Sequence, residues 1–294
     1  MIIKGRNESI YQVFIVLLVG ILAILALFPI IYVVGMSLTT QTELIHNNYF
    51  VIIPKEPTLE AYRRVLFAAR TIPRAFALSV YKTIAGTALA TVLTFVAGYV
   101  LAQKTLVGRK FFMGMVLVTM LFGGGMIPSY LLIRSLGMLN SYASLIIPSA
   151  LGGFNVFVVR MAVENIPESL VESAKLDGAG DLNMMFRIAL PLILPSLVAI
   201  TMFTVVGQWN SWFDALLYIQ DQPKYPLQLV IQKILTGIQG HNDLMDAQIA
   251  DSITTTNEAK KMATVVISTV PILLIYPLFQ RYFIHGVYMG AVKG

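Results

Sequence analysis

Residues 172–195 read ESAKLDGAGDLNMMFRIALPLILP, a polar stretch of small residues that leads directly into an apolar one. Just upstream, Pro167 fits the first turn of a helix, where a missing amide costs nothing, and Glu168 beside it complements the positive end of the helix dipole. Glu168, Glu172 and Lys175 then share one face, with Leu170, Val171 and Ala174 turned away from it. Gly178 ends this helix, and Asp181 is placed to cap a second short one that runs through Met184, Met185 and Phe186 until Pro191 opens the next apolar run. Ser173, Ala174, Gly178 and Ala179 are small enough for another protein to come close. The spacing predicts two short helices around a 178–180 bend, arranged as a docking surface rather than an active site.

Outward from this segment the chain is strongly apolar. Of its 294 residues 57% are hydrophobic and 12% charged, about half the charged share of soluble domains, and the mean hydropathy is +0.76. Six uncharged runs cover 11–42, 83–103, 111–133, 135–159, 188–213 and 262–280. Each can cross about 30 Å of hydrocarbon at about 1.5 Å per residue. Backbone groups in lipid must be satisfied within the protein, and the runs lack the period-two alternation of barrel strands. The expected fold is therefore all-α, a polytopic membrane protein with six transmembrane helices. The first run exceeds a signal-peptide core and no small-x-small cleavage site follows Phe28-Pro29, so it is expected to remain as an anchor.

Breakers interrupt two runs: Gly123, Gly124, Gly125 and Pro128 in the third, Pro148, Gly152 and Gly153 in the fourth. They fit a wet cavity or close packing of helices through small residues, and packing is the preferred reading. Lys82 and Asp214 stand near run ends and read as interfacial. In the long 214–261 connection, Leu227, Val230, Ile231, Ile234, Leu235 and Ile238 recur at helical spacing, with Gln228, Gln232, Lys233 and Gln239 on the other face and Gly240 as the stop.

Several function classes are excluded. The chain has no cysteine and three dispersed histidines (His46, His241, His285), which offers neither disulfides nor a metal cluster. The net charge of +6 is spread over the loops, not gathered into a nucleic-acid-binding face. No run hides an ionisable group at its centre, which argues against a proton or sodium relay. No catalytic set of acid, base and nucleophile is present. No G-x-x-x-x-G-K-[ST] loop precedes a helix, so the free energy for any pumping has to come from another polypeptide. Lys4, Arg6, Lys104, Arg109, Lys110, Arg160, Lys175, Arg187, Arg281 and Lys293 fall on one side of a six-span layout and the other eleven of the 21 basic residues on the opposite side. That count does not orient the chain, although the dense 104–110 turn favours cytoplasmic termini.

The 172–195 segment resembles the coupling-helix signature of ABC importer permeases. Glu172, Ala174, Gly178, Ile188, Leu190 and Pro191 fall at matching offsets, Asp177, Ala179 and Pro195 fit its carbohydrate-importer form, and Ser173 departs from the usual alanine. FQRYFIHGVYMGAVKG (279–294) resembles the tail of the sugar-importer permease that reaches into its ATPase, and WNSWFDALLYI (209–219) the end of that subunit's fifth span. FGGGMIPSYLLIRSLGMLNSY (122–142) resembles a subgroup that handles oligosaccharides from complex polysaccharides. The chain is thus similar, over nearly its whole length, to carbohydrate ABC importer permeases of the maltose-importer-like, six-helix type.

That resemblance implies the type I importer permease fold, with an anchor and first outer loop over 1–70 and the permease domain over 71–294. It implies coupling to an ATPase through 167–187, chiefly Glu168, Glu172, Ser173, Ala174, Asp177, Gly178 and Ala179, and through a tail at 281–294 that includes Gly290, Ala291, Val292 and Lys293. The implied partners are a second homologous permease, an ATPase dimer that binds the ATP and magnesium, and an extracytoplasmic solute-binding protein. The chain itself would be no enzyme and would hold no cofactor, residing among the lipids of a bacterial cytoplasmic membrane with both termini inside. Sugar recognition calls for hydrogen-bonding groups and aromatic faces, for which Gln208, Trp209, Asn210 and Trp212 are candidates, with Tyr99, Tyr130 and Asn155 behind them. An aromatic belt at the membrane interface is the competing reading of the tryptophans. The alternative for the whole chain is an ion-coupled secondary sugar transporter or a channel.

Overall fold

The computed structural model describes residues 6–68, 71–236 and 257–291, with side chains described for 11–67, 71–236 and 257–277. All regular structure among these residues is helical. The chain divides into two compact units, one of Met1–Pro73 with Lys233–Val270, the other of Arg74–Gln232 with Pro271–Gly294.

Four helices are long and apolar enough to cross a membrane: Tyr11–Ser37, Thr71–Ala102, Asp181–Asn210 and Asn257–Pro277. Arg109–Leu121 and Met126–Ser135 meet at 117° and make a fifth if taken together. The six apolar runs thus give four or five spanning helices by length among the described residues. The difference lies in the fourth run, which the breakers divide. It holds the short helix α7 (Ala143–Ile146), a non-helical stretch around Pro148, and part of α8 (Gly153–Glu164). With 12 residues, α8 is about 18 Å long at about 1.5 Å per residue, well short of about 30 Å of hydrocarbon.

In the first unit, α1 (Arg6–Ser37) is apolar on every side, and its spanning window is 0% buried within the chain, as befits a helix solvated by lipid. It stops at Ser37, short of the end of its run, where Thr39 Oγ1 donates to the Gly35 carbonyl (2.7 Å) and the Ser37 and Tyr62 hydroxyls share a 2.6 Å hydrogen bond. Short α2 (Gln41–His46) buries Leu44, and α3 (Glu60–Arg63) widens into a π turn over Arg64–Ala68.

The core of the second unit lies between three helices. Phe95 and Tyr99 come from α4 (Thr71–Ala102), Val159 and Val163 from α8, and Ile193, Leu197 and Ile200 from α11 (Leu190–Asn210). Glycines set the spacing. A Cβ on Gly98 would lie 2.6 Å from Val159 Cγ1, and one on Gly153 would lie 2.6 Å from Met120 Cγ, so α8 is pressed against both α4 and α5 (Arg109–Leu121). Gly123 and Gly124 behave otherwise: no atom lies within 4 Å of an added Cβ, and Gly125 takes φ +84°. Those glycines make the turn into α6 (Met126–Ser135). The packing reading holds at Gly153, while at 123–125 the glycines serve a turn and meet no other helix among the described residues.

A further expectation is corrected. Pro191 does not begin a new helix. The helix that starts at Asp181 passes through a π turn at Met184–Ala189 and continues to Asn210. Proline lacks an amide and crowds the carbonyl four residues back, and a widened turn is one way for a helix to run through it. Lys82, expected near a span end, is enclosed by the protein: it lies inside α4, 1% exposed, and its Nζ donates to the Ser211 carbonyl at the end of α11 at 3.0 Å.

After α12 (Phe213–Tyr218), α13 (Leu227–Thr236) is the expected amphipathic helix with a broader buried face. Leu229 and Lys233 are buried on it and Leu235 is exposed. Ile238, Gln239 and Gly240 lie outside the described residues. The last helix, α14 (Asn257–Ala291), buries Ala259, Lys260, Ala263 and Thr264 near its start.

Candidate functional site

Helix α9 covers Glu168–Leu176, with Pro167 immediately before it at ψ 129° rather than in its first turn. Its end is closed by two crossed hydrogen bonds: the Gly178 amide donates to the Lys175 carbonyl (3.0 Å) and the Ala179 amide to the Ala174 carbonyl (2.9 Å). This closure needs a left-handed residue after the cap, and Gly178 supplies it at φ +80°. Gly180 then precedes α10 (Asp181–Asn183), and Asp181 is its first helical residue with no side-chain capping bond. Its carboxylate acts there as a charge at the positive end of the helix, not as the expected cap.

The surface this creates is open. Leu176 is 89% exposed and Leu182 71%, and Glu172, Ser173, Lys175, Asp177 and Gly178 are exposed around them. Ala174 and Ala179 instead pack inward with Val171 against the three-helix core. Of the four small residues expected to admit a neighbour, Ser173 and Gly178 face outward.

A layer of charge supports the segment from behind. Lys104 Nζ pairs with Glu168. The hydrogen bond and then the charge of Lys104 hold the Glu168 carboxyl below its ordinary range, and the same contact raises the Lys104 ammonium. Arg109 Nε donates to the Leu101 carbonyl (2.8 Å) in the last turn of α4, while its Nη2 pairs with Glu164 at the end of α8. Arg160 donates to the same Glu164 oxygen through Nε and Nη2 at 3.0 and 2.9 Å. Beside Lys104, Glu164 and Glu168 lies a cavity of about 400 Å³, lined also by Gln103, Glu172, Asp181 and Met184. The i, i+4 spacing of Arg160 and Glu164 was available in the sequence. The roles of Lys104 and Arg109 were not, because their partners are distant along the chain.

The substrate candidates do not converge. Tyr99 sits in the core behind α9, 8% exposed. At the far end of α11, Gln208 Nε2 donates to Ser149 Oγ (2.9 Å), and Trp209, 3% exposed, meets Phe76 edge-on at 5.7 Å. Both are engaged in the chain's own packing, and the belt reading fails for Trp209. Tyr130, Asn155 and Trp212 are half-buried and Asn210 is exposed. Tyr130 stacks on Tyr218 at 6.4 Å and Trp212 meets Phe213 edge-on.

One cluster at that end escaped the sequence reading. Asn140, at φ +57°, donates from Nδ2 to Asp221 (2.6 Å), accepts at Oδ1 from the amides of Gln220 and Asp221, and accepts at its carbonyl from Lys224 Nζ (3.1 Å). The hydrogen bonds from Lys224 and Asn140 hold the Asp221 carboxyl below its ordinary range. Of the tail candidates, Gly290 and Ala291 form the end of α14, their side chains not described, and Val292 and Lys293 lie outside the described residues.

Residues 5–289 match the family model described as binding-protein-dependent transport system inner membrane component. The chain is 38% identical to the polygalacturonan/rhamnogalacturonan transport system permease protein YtcP of Bacillus subtilis (strain 168), over 92% of this chain and 94% of that one. It is 37% identical to Protein LplC of the same organism, over 98% and 97%. Among solved structures, a chain of a bacterial ABC transporter involved in the import of the acidic polysaccharide alginate superposes with a TM-score of 0.87 at 29% identity, covering 96% of this chain and 100% of that one.

Proposed function

Because this chain belongs to the family of binding-protein-dependent transport system inner membrane components, we propose that it is the permease subunit of an ATP-driven importer whose cargo is an oligosaccharide, an acidic one derived from a polysaccharide. The names of its relatives support the cargo class: a polygalacturonan/rhamnogalacturonan permease and an alginate importer. ATP and magnesium are bound by a separate ATPase dimer. A second, homologous permease completes the pore, and an extracytoplasmic binding protein delivers the sugar. The 71–294 region is the permease domain proper, and both termini lie in the cytoplasm.

The observation that carries this reading is the α9–Gly178–α10 segment, which holds Leu176 and Leu182 out of the protein's own core on a backbone closed by its own hydrogen bonds. Large apolar side chains on such a stiff projection fit a groove on another protein. As the two ATPases close on nucleotide, the segment transmits their motion to the spans, which rock between inward-open and outward-open states.

The test is a pair of substitutions, Leu176→Glu with Leu182→Glu. Neither side chain belongs to the core, so the variant assembles in the membrane. Each buries apolar surface worth about 1.5–3 kcal/mol on docking, so copurification with the ATPase and ATP-dependent oligosaccharide uptake are both lost. A double variant that keeps its ATPase and its uptake would remove this segment from the mechanism.

A further inference from the structure

We infer that Arg109 is a positioning residue for energy coupling: it ties the ends of α4, α5 and α8 into one body, so that a push on α9 reaches all three helices together. The inference rests on the reading of α9 as the segment that meets the ATPase.

Helix α9 is joined to α8 by Asn165–Ile166–Pro167 alone. A force on α9 reaches the bundle through its packing on the core and through α10, and on the upstream side it enters at the last turn of α8, where Glu164 stands. Left to a flexible junction, that force would twist the end of α8 and dissipate there. Arg109 closes the junction. It is the first residue of α5, its Nε holds the Leu101 carbonyl of α4, and its Nη2 holds Glu164. One planar guanidinium thus serves three helix ends, a geometry the single nitrogen of lysine cannot reproduce. Arg160 steadies the same carboxylate from within α8. The side chains of Arg109, Arg160 and Glu164 are 24%, 17% and 30% exposed, so solvent screens these pairs in part. Farther along, α8 has no slack either, since it is locked against α4 at Gly98 and against α5 at Gly153.

The chain has no cysteine, so an introduced pair is unique within it, and it is paired with cysteine-free partner subunits. Nitroxides at Ser169→Cys, an exposed α9 position outside the docking side chains, and Lys110→Cys on α5 report their separation in the full complex, with and without trapped ATP. In the otherwise native chain the distance distribution is narrow and unchanged by nucleotide, because the two helices move together. With Arg109→Ala it broadens, and oligosaccharide uptake per ATP hydrolysed falls about threefold to thirtyfold. With Arg109→Lys the loss is partly recovered. A native separation that changes with nucleotide, or an Arg109→Ala variant with an unaltered distribution and ratio, overturns the inference. So does a variant in which uptake and hydrolysis fall in the same proportion. If Arg109→Ala does not assemble, Arg109→Lys is read in its place, and a native ratio and distribution there overturn the inference equally. The proposed function fails by a different result: an unlabelled native complex that hydrolyses ATP but takes up no oligosaccharide.

Discussion

Lys82 Nζ donates a 3.0 Å hydrogen bond to the carbonyl of Ser211, 129 positions away in sequence. Ser211 follows the last residue of α11, where the helix leaves carbonyls unpaired and its dipole is negative. Its hydroxyl donates to Asp214 (3.2 Å), whose charge acts on the buried ammonium. A cation 1% exposed is tolerable in such a place because the Ser211 carbonyl takes the place of water and the charge of Asp214 favours the ammonium.

Lys82→Met keeps the length and apolar stem of the side chain but leaves the Ser211 carbonyl without this donor and Asp214 without its cation. The expected cost is about 1–3 kcal/mol, measured as unfolding free energy in detergent micelles. Native stability in the methionine variant would show that the contact is incidental.

Gly178→Val separates folding from coupling. At φ +80° a β-branched residue pays about 1–2 kcal/mol, yet nothing in the chain lies within 4 Å of the added Cβ. The variant therefore inserts in the membrane with modestly reduced stability, while its side chain projects into the proposed docking groove and uptake is uncoupled from ATP hydrolysis. Uptake at the native rate would mean that no partner comes close at this position.

What the sequence revealed and what it hid follow from the range of the forces involved. The α9 bend was legible because proline, glycine and charge act within a few residues, and the crossed bonds at Gly178 close over a span of six. The role of Gly153 was open to two readings, and Met120 decided between them. The partner of Lys82 lies beyond the end of another helix, and those of Gln208 and Trp209, Ser149 and Phe76, lie far along the chain, so none of these contacts could be read from local sequence. The breakers in the fourth run, Pro148 and Gly152, were visible in the sequence, but not how far they shorten its helices, which depends on where α7 stops and α8 starts.

The Lys104–Glu168 pair has a pH signature at both ends. Glu168 is held below its ordinary 4.5, so its favourable contribution is complete above that value and is lost as pH falls through the lowered one. Lys104 is raised above 10.5, so its contribution is complete below that value and is lost as pH rises through the raised one. Between these limits the pair is indifferent to pH. In Lys104→Met the Glu168 titration, followed by the carboxyl carbon shift, moves up toward the ordinary value; a midpoint that stays in place would show that the contact does not persist in solution.

The tight crossing of α4 and α8 at Gly98 makes the sharpest structural prediction. A Cβ at position 98 would stand 2.6 Å from Val159 Cγ1, 2.7 Å from Val159 Cβ and 3.1 Å from the Arg160 amide nitrogen. Valine has little rotamer freedom in a helix, so the clash is relieved only by separating α4 from α8, and Gly98→Ala costs about 1–3 kcal/mol. Trimming the neighbour shows which atoms matter. Val159→Ala removes Cγ1 but leaves its Cβ in place, and so recovers little of the loss in the double variant. Val159→Gly removes both, and recovers more in spite of the roughly 1 kcal/mol that glycine costs inside a helix. Thermal unfolding of the single and double variants in micelles ranks them directly, and full recovery by Val159→Ala would place the two backbones farther apart than they are here.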